Sequence, residues 1–254
     1  MSTSKIISMK GNEAIVVLTC YDSNMAKILE EMNVDIILVG DSLGNVVLGY
    51  DSTRDVTVQD MIRHTGAVRR GAVSSFIVAD MPYKSDETNE LALMNANALI
   101  DSGADAVKIE GKPAVCKFLS QNGIAVMGHV GLLPQTAEDY KVKGKDSKEA
   151  EDILNMALEL EKSGCFAVVL ESVPVELARR ITDALKIPAI GIGAGHYCDG
   201  QVLVVNDILG MYDEFKPKFV KRYANVNEII KKAVSQYRKE VKKGEFPSDE
   251  YSFK

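Results

Sequence analysis

Eight short apolar runs rich in Val, Ile and Leu recur along the chain, and most are separated by stretches of helical character. This repeat of strand and helix predicts a parallel sheet with helices packed against it. Eight such units favour a closed (β/α)8 TIM barrel, with a doubly wound open sheet as the alternative. The runs lie at residues 14–18, 34–39, 75–79, 104–111, 124–127, 165–171, 189–192 and 202–205.

The chain length supports one domain, because 254 residues match the size of about 250 residues that is typical of a single barrel. We therefore predict one (β/α)8 barrel domain over residues 1–254. An amphipathic C-terminal helix with its tail, at about residues 223–254, extends the barrel. An earlier helix, which leads into the fourth strand, carries Leu91, Met94 and Ala98 on one stripe.

Charge and cysteine content narrow the class of protein. A net charge of -6 and a pI near 5.3 argue against nucleic-acid or membrane-surface binding, since both need a basic face. The four cysteines lie far apart, without a CxxC pair or metal-like spacing. The N-terminus is too polar for an export signal, so we expect reduced thiols in a cytoplasmic protein that does not bind a membrane.

The fourth run, ADAVKIEG, places Lys108 and Glu110 two positions apart in an otherwise apolar strand. Side chains alternate along a strand, so both charges point to the same face. A buried ion pair is weak evidence for stability, which favours a functional interpretation over a structural one. The segment SGADAVKIE at 102–110 also aligns without gaps on SGCFAVVLE at 163–171, so Glu171 ends the sixth run as Glu110 ends the fourth.

Polar residues end several of the other predicted strands, and in a barrel these ends meet at one mouth. Asp41 and Ser42 follow the second run, Asp80 the third, and His129 the fifth. The carboxylates of Asp41, Asp80 and Glu110 offer oxygen ligands, which suit Mg²⁺ better than Zn²⁺.

A 2-oxo acid can fill the open positions of such a metal site, and the metal then acidifies the carbon next to the keto group. Glu171 is the candidate base, because burial in its apolar strand raises the proton affinity of a carboxylate. Lys108 is a candidate for holding the substrate carboxylate or enolate oxygen. A Schiff base at Lys108 is the less favoured alternative. His64 is expected to be structural or exposed, and the roles of His129 and His196 stay open.

Seven strings in chain order resemble the ketopantoate hydroxymethyltransferase family. They are VGDSLG at 39–44, ADMP at 79–82, VKIEG at 107–111, GHVGLLPQ at 128–135, ESVP at 171–174, GIGAG at 191–195 and DGQ at 199–201. The resemblance implies a barrel of the phosphoenolpyruvate/pyruvate superfamily. It also implies transfer of a hydroxymethyl group from 5,10-methylenetetrahydrofolate to 3-methyl-2-oxobutanoate, through a Mg²⁺-stabilised enolate. The product is 2-dehydropantoate, in pantothenate and coenzyme A biosynthesis.

The resemblance assigns roles to residues of this chain. Asp41 and Asp80 match the Mg²⁺ positions, and Glu110 matches the acid that completes the metal site directly or through water. The oxo-acid contacts match Asp41, Ser42, Asp80 and Lys108, and the proton acceptor matches Glu171. The expected partners are the oxo acid, the folate co-substrate and further copies of the chain, with a decamer as one candidate assembly.

Two other functions remain to be distinguished. Another Mg²⁺-dependent lyase or mutase of the same superfamily would share the metal site and need no folate. A barrel that binds an oxo acid without catalysis would show no metal-dependent turnover.

Overall fold

The computed structural model describes residues 1–211 and 217–253. The chain divides into two compact units, residues 1–204 and residues 205–254. The organisation of all 254 residues as one domain stays a prediction. The last residue of the predicted C-terminal tail, Lys254, lies outside the described residues.

The first unit contains a closed barrel of eight parallel strands in the order of the chain. The predicted fold class is therefore confirmed, and the open sheet is excluded. The strands are β1 Ile15–Thr19, β2 Ile36–Val39, β3 Phe76–Asp80, β4 Ala106–Glu110, β5 Val126–Gly131, β6 Ala167–Glu171, β7 Ala189–Ile192 and β8 Gly200–Leu203.

Seven helices of the first unit precede or connect these strands. They are α1 Thr3–Met9, α2 Ser23–Glu31, α3 Val58–Gly71, α4 Asn89–Asp101, α5 Pro113–Gln121, α6 Ser147–Lys162 and α7 Val175–Ala184. Polar caps start several of them, because the first backbone N–H groups of a helix lack partners within the helix. Asp22 caps α2, Thr57 and Asp60 form a capping box on α3, and Asp146 caps α6.

The barrel interior is a single apolar cluster that includes Val17, Leu38, Val78 and Met127 from the strands. Ile6 and Met9 of α1 belong to the same cluster and are 0% and 2% exposed. α1 thus contributes to the core from a segment that the sequence pattern did not mark as helical.

Two details differ from the sequence predictions. α4 buries Ala92, Asn95, Ala96 and Leu99, whereas Met94 of the predicted stripe is 60% exposed. No helix lies between β7 and β8, which are joined by residues 193–199 alone. This link packs against β7, since a Cβ atom at Gly191 would lie 2.9 Å from Sγ of Cys198.

The second unit contains α8 Val205–Ile208 and the predicted C-terminal helix, α9 Val226–Lys243. α9 ends at Gly244, whose φ of 70° is the left-handed conformation that glycine adopts readily. Within the described part of the chain, every helix falls short of the length or apolar character that spanning a membrane requires.

Candidate active site

Four strands continue their inward-facing rows with polar side chains at their carboxyl ends. On each strand, the residue two positions before the first of these polar side chains belongs to the apolar cluster. This spacing is the one that the alternation of side chains along a strand requires. The polar residues are Asp80 on β3, Lys108 and Glu110 on β4, His129 on β5 and Glu171 on β6. The active sites of this fold are built at these ends.

Asp41 and Ser42 follow β2 in the turn that begins at Gly40. The backbone N–H of Asp41 donates to Oδ2 of Asp80 over 3.0 Å. A Cβ atom on residue 40 would lie 2.8 Å from Oγ of Ser42 and 3.6 Å from Oδ2 of Asp80. Glycine at position 40 therefore leaves room for the Ser42 hydroxyl to fold back over the turn. The hydroxyl of Ser42 shares a hydrogen bond of 2.9 Å with the phenol of Tyr21.

Lys108 and Asp80 form a buried ion pair, with Nζ 3.2 Å from Oδ1 and side-chain exposures of 7% and 4%. Burial works against the lysine charge, but attraction to Asp80, Glu110 and Asp41 outweighs it and raises the pKa of Lys108. Lys108 is therefore a permanent cation among carboxylates. Oδ1 of Asp80 has no hydrogen-bond partner besides this ion pair.

Gln135, in the segment after β5, ties three strand ends together. Its side-chain amide donates to Oδ2 of Asp41 and to the carbonyl of Met81, each over 2.9 Å. Its backbone N–H donates to Oε2 of Glu110 over 3.1 Å. The residue is 5% exposed, so these bonds form away from competing water.

His129 lies between Lys108 and Glu171 and is 2% exposed. Its Nδ1 is 3.4 Å from Nζ of Lys108, and its Nε2 is 3.3 Å from Oε2 of Glu171. Burial, together with the charge of Lys108, lowers the pKa of His129 well below its usual value. The imidazole is therefore neutral at physiological pH.

Three carboxyl groups of the site hold protons more tightly than usual. Burial, reinforced by the charge of Asp80, raises the pKa of Asp41 to about 7. Burial raises the pKa of Glu110 to about 8 and the pKa of Glu171 to about 7, although Lys108 opposes both shifts. Glu171 keeps 18% of its side chain exposed, so it combines a raised pKa with access to the mouth.

The local backbone brings Glu171 to this position. Gly131, at the end of β5, has a φ of 94° and packs against the carbonyl of Glu171, where a Cβ atom would overlap it. The N–H of Leu132 donates to the same carbonyl over 2.9 Å. The fifth and sixth strands therefore stay paired up to Glu171.

The structure brings six of the predicted residues to one mouth: Asp41, Asp80, Lys108, Glu110, His129 and Glu171. Ser42 is also there, as the residue that follows Asp41 in the chain. Gln135 and Tyr21 were missed as site residues. The string GHVGLLPQ contained Gln135, but nothing in the sequence indicated its partners. Across residues 1–211 and 217–253, no group of three or more His, Cys, Asp or Glu side chains is arranged as a metal site.

The other two histidines lie outside this cluster. Nδ1 of His64 is 2.6 Å from the backbone carbonyl of Tyr21, which gives it the expected structural role. His196 is exposed and stacks on Tyr197, with ring centroids 4.2 Å apart.

Comparisons with known structures agree with the barrel fold. The fold matches a solved structure of 2,3-dimethylmalate lyase, described as a PEP mutase/isocitrate lyase superfamily member, with a TM-score of 0.61 at 14% identity, covering 99% of this chain and 91% of that one. Phosphonopyruvate hydrolase in complex with oxalate and Mg²⁺ matches with a TM-score of 0.65 at 11% identity, covering 99% and 93%.

Sequence comparisons are more specific. The 3-methyl-2-oxobutanoate hydroxymethyltransferase of Thermotoga maritima is 50% identical over 260 residues, which cover 100% of this chain and 96% of that protein. The sequence model of the ketopantoate hydroxymethyltransferase family matches residues 1–249. The chain belongs to the ketopantoate hydroxymethyltransferase family.

Proposed function

We propose that this protein transfers a hydroxymethyl group from 5,10-methylenetetrahydrofolate to 3-methyl-2-oxobutanoate, giving 2-dehydropantoate and tetrahydrofolate in pantothenate biosynthesis. The family and the name of the Thermotoga maritima relative support this reaction. The observation that carries it is the buried set of three carboxylates around Lys108, with Glu171 at the opening. Such a cluster costs folding free energy, so a catalytic role explains it better than a structural one.

The donor set suits Mg²⁺, which Asp41 and Asp80 would hold. Glu110 lies near enough to Lys108, the neighbour of Asp41, for its charge to raise the pKa of that lysine, and it would complete the metal site. Oδ1 of Asp80 is buried and free of hydrogen bonds. Two carboxylates suffice, because magnesium usually keeps several water or substrate ligands. When bound, Mg²⁺ polarises the keto group of the substrate and makes the C3 proton more acidic. The solved Mg²⁺ and oxalate complex of phosphonopyruvate hydrolase supports this assignment.

The cationic and hydroxyl groups hold the oxo acid. Lys108 is a fixed cation that can pair with the substrate carboxylate or the developing enolate oxygen. Ser42, whose hydroxyl is oriented by Tyr21, supplies a neutral hydrogen bond beside Asp41. Together they place a positive charge and a hydroxyl donor among the carboxylates of the site.

Glu171 removes the C3 proton. The C3–H bond breaks, the proton moves to the carboxylate, and the electron pair moves towards the keto group. Water adds to the methylene carbon of the folate, both C–N bonds of that carbon break, and tetrahydrofolate leaves with a proton on each of the two nitrogens. C3 then bonds to the formaldehyde carbon that is released, and its oxygen takes the proton held by Glu171 to become the new hydroxyl group. A base with a pKa of about 7 suits this step, since proton transfer is most effective when the pKa lies near the working pH.

A cavity of about 340 Å³ reaches the site at His129 and is a candidate for the folate ring. Its lining includes the apolar residues Leu133, Ile153 and Met156 and the charged residues Lys143, Glu149 and Asp152. An apolar cavity with few polar groups is the usual form of a small-molecule site. A flat heterocycle with N–H donors would match both parts of this lining.

The decisive experiment follows the C3 proton in heavy water. Wild-type protein with Mg²⁺ and 3-methyl-2-oxobutanoate should exchange it for deuterium, and added methylenetetrahydrofolate should yield 2-dehydropantoate. Glu171→Gln should fold and bind the oxo acid without exchange. Full exchange in that variant would remove Glu171 as the base, and loss of oxo-acid binding would show a different role.

The same mixture separates the alternatives. A lyase or mutase of the superfamily, which the fold likeness to 2,3-dimethylmalate lyase keeps as the second candidate, would form no 2-dehydropantoate. A non-catalytic barrel would show neither exchange nor product.

Location and assembly complete the proposal. The four cysteines Cys20, Cys116, Cys165 and Cys198 are free thiols, in accord with a cytoplasmic enzyme that acts on small molecules. A homo-oligomer, with a decamer as the candidate size, rests on the family resemblance and is tested by light scattering.

A further inference from the structure

His129 bridges the fixed cation and the base, and no step above uses it. Its Nδ1 lies 3.4 Å from Nζ of Lys108, and its Nε2 lies 3.3 Å from Oε2 of Glu171. The ring is 2% exposed, so water does not compete for either nitrogen. One imidazole therefore connects the two charged residues that we assign to the oxo acid.

The contact with Lys108 selects the tautomer of His129. An ammonium group has three donors and no acceptor, so Nδ1 must be the unprotonated, accepting nitrogen. The carboxylate oxygen Oε1 of Glu110 is 3.7 Å from Nδ1, too far for it to take a proton from that atom in a hydrogen bond. In a neutral ring, the proton is then on Nε2.

The Nε2–H group of His129 lies beside Glu171 but makes no hydrogen bond to it. Nε2 is buried and makes no aligned hydrogen bond, although Oε2 of Glu171 is within 3.3 Å. An unsatisfied buried donor is costly, and hydrogen bonds of catalytic groups often become aligned only when substrate binds. A small rotation of the Glu171 carboxylate would satisfy this donor.

We propose that His129 is a positioning residue: Lys108 holds it in the Nε2–H tautomer, and that N–H orients the Glu171 carboxylate for removal of the C3 proton. This inference rests on the proposed role of Glu171. His129 keeps its own proton throughout, while the C3–H bond breaks and its proton passes to the other oxygen of Glu171. The ring thus sets the direction of the base without taking part in proton transfer.

Nitrogen-15 spectra of the histidine rings test the tautomer directly, without turnover. The chain has three histidines, and the His129→Gln spectrum identifies the signal of residue 129. We expect a neutral Nε2–H ring at His129. His64 is the internal control, because Nδ1 must donate to the Tyr21 carbonyl. A protonated Nδ1 at His129 would overturn the inference.

Two substitutions test the role, since the amide of Gln reaches the position of Nε2 and the amide of Asn that of Nδ1. His129→Gln should keep most of the C3 exchange rate, and His129→Asn should lose about 10- to 100-fold, as when other orienting partners are removed. Both variants should bind the oxo acid as the wild type does, with thermal unfolding confirming their folding.

Equal exchange rates in the two variants would refute the positioning role, because a purely structural contribution does not distinguish them by which nitrogen they replace. A wild-type protein that exchanges no C3 proton would instead refute the proposed function itself. The two failures are therefore distinguishable.

Discussion

The side-chain amide of Gln135 donates to Oδ2 of Asp41 over 2.9 Å, although 94 positions of chain separate the two residues. The same residue holds the Met81 carbonyl and Oε2 of Glu110. By occupying one oxygen of each acid, it leaves Oδ1 of Asp41 and Oε1 of Glu110 for metal, water or substrate. A residue outside the strands thus fixes the orientation of two acids at the mouth.

Replacing Gln135 with Ala should weaken Mg²⁺ binding, because the Asp41 carboxylate loses its orientation. We expect a fall in affinity of about 10- to 100-fold, the usual effect of removing an outer partner of a metal ligand. The measurement is calorimetric titration of metal-free protein with Mg²⁺. Gln201→Ala is the matched control, since Gln201 is exposed and its side-chain amide donates to the Gly195 carbonyl instead of to an acid of the mouth. Equal affinities in the two variants would contradict the orienting role.

The rate of C3 exchange should rise with pH and level off above about 7. Burial raises the pKa of Glu171 to about 7, and only the ionised carboxylate can accept the proton. The profile of exchange rate against pH in the presence of Mg²⁺ gives this value. A rate that is already constant between pH 5 and 6 would show that Glu171 is not the titrating base.

Metal-free protein should lose stability as pH rises from about 5.5 to about 8.5. Asp41 and Glu110 have pKa values raised to about 7 and about 8, above those of an unfolded chain. A raised pKa stabilises the folded state fully below the unfolded value, and this contribution is lost as pH rises through the folded value. Saturating Mg²⁺ should offset the loss.

Urea unfolding across this pH range, with and without Mg²⁺, measures the effect. Glu110→Gln should show a shallower decline than the wild type, because it removes one of the titrating groups. A free energy of unfolding that increases towards pH 8.5 in the metal-free wild type would contradict the raised pKa values of Asp41 and Glu110.

Replacing Lys108 with Met should destabilise the protein by about 3–5 kcal/mol near neutral pH, the usual cost of removing one partner of a buried ion pair. The loss should shrink at pH 5.5, where the raised pKa values of Asp41 and Glu110 keep these two neighbours of Lys108 protonated. Arg180→Met is the control, because its pair with Glu151 is about half exposed and contributes at most about 1 kcal/mol. Similar losses in the two variants would show that the Lys108 pair is not buried in solution.

Filling the cavity should separate folate binding from oxo-acid chemistry. Met156→Trp places a large ring in the cavity of about 340 Å³ and should raise the KM for methylenetetrahydrofolate. C3 exchange requires no folate, so its rate should be unchanged. Met94→Trp is the control, because Met94 is 60% exposed on α4. An unchanged KM in Met156→Trp would place the folate elsewhere.

The barrel and most of its mouth were predictable from local pattern. Alternation along a strand places Lys108 and Glu110 on one face whatever the rest of the chain does, and the structure has both buried. Parallel strands then bring Asp80 and Glu171 to the same end. These conclusions depend on backbone geometry, which a sequence expresses directly.

The rest depends on tertiary contacts. Gln135 acquires its role from residues up to 94 positions away, and no local signal records such partners. The face of α4 was wrong because small residues, Ala92 and Ala96, are buried there, while the stripe with the bulkier Met94 drew the prediction. α1 was missed because its seven residues are too few to show a helical period.

α1 has a consequence for how the protein is made and handled. Its residues Ile6 and Met9 share their buried cluster with Val202, near the end of the barrel sequence. Since synthesis runs towards higher residue numbers, α1 has no complete docking surface until β8 has been synthesised. Removal of the first ten residues would therefore expose part of the apolar interior of the barrel to water.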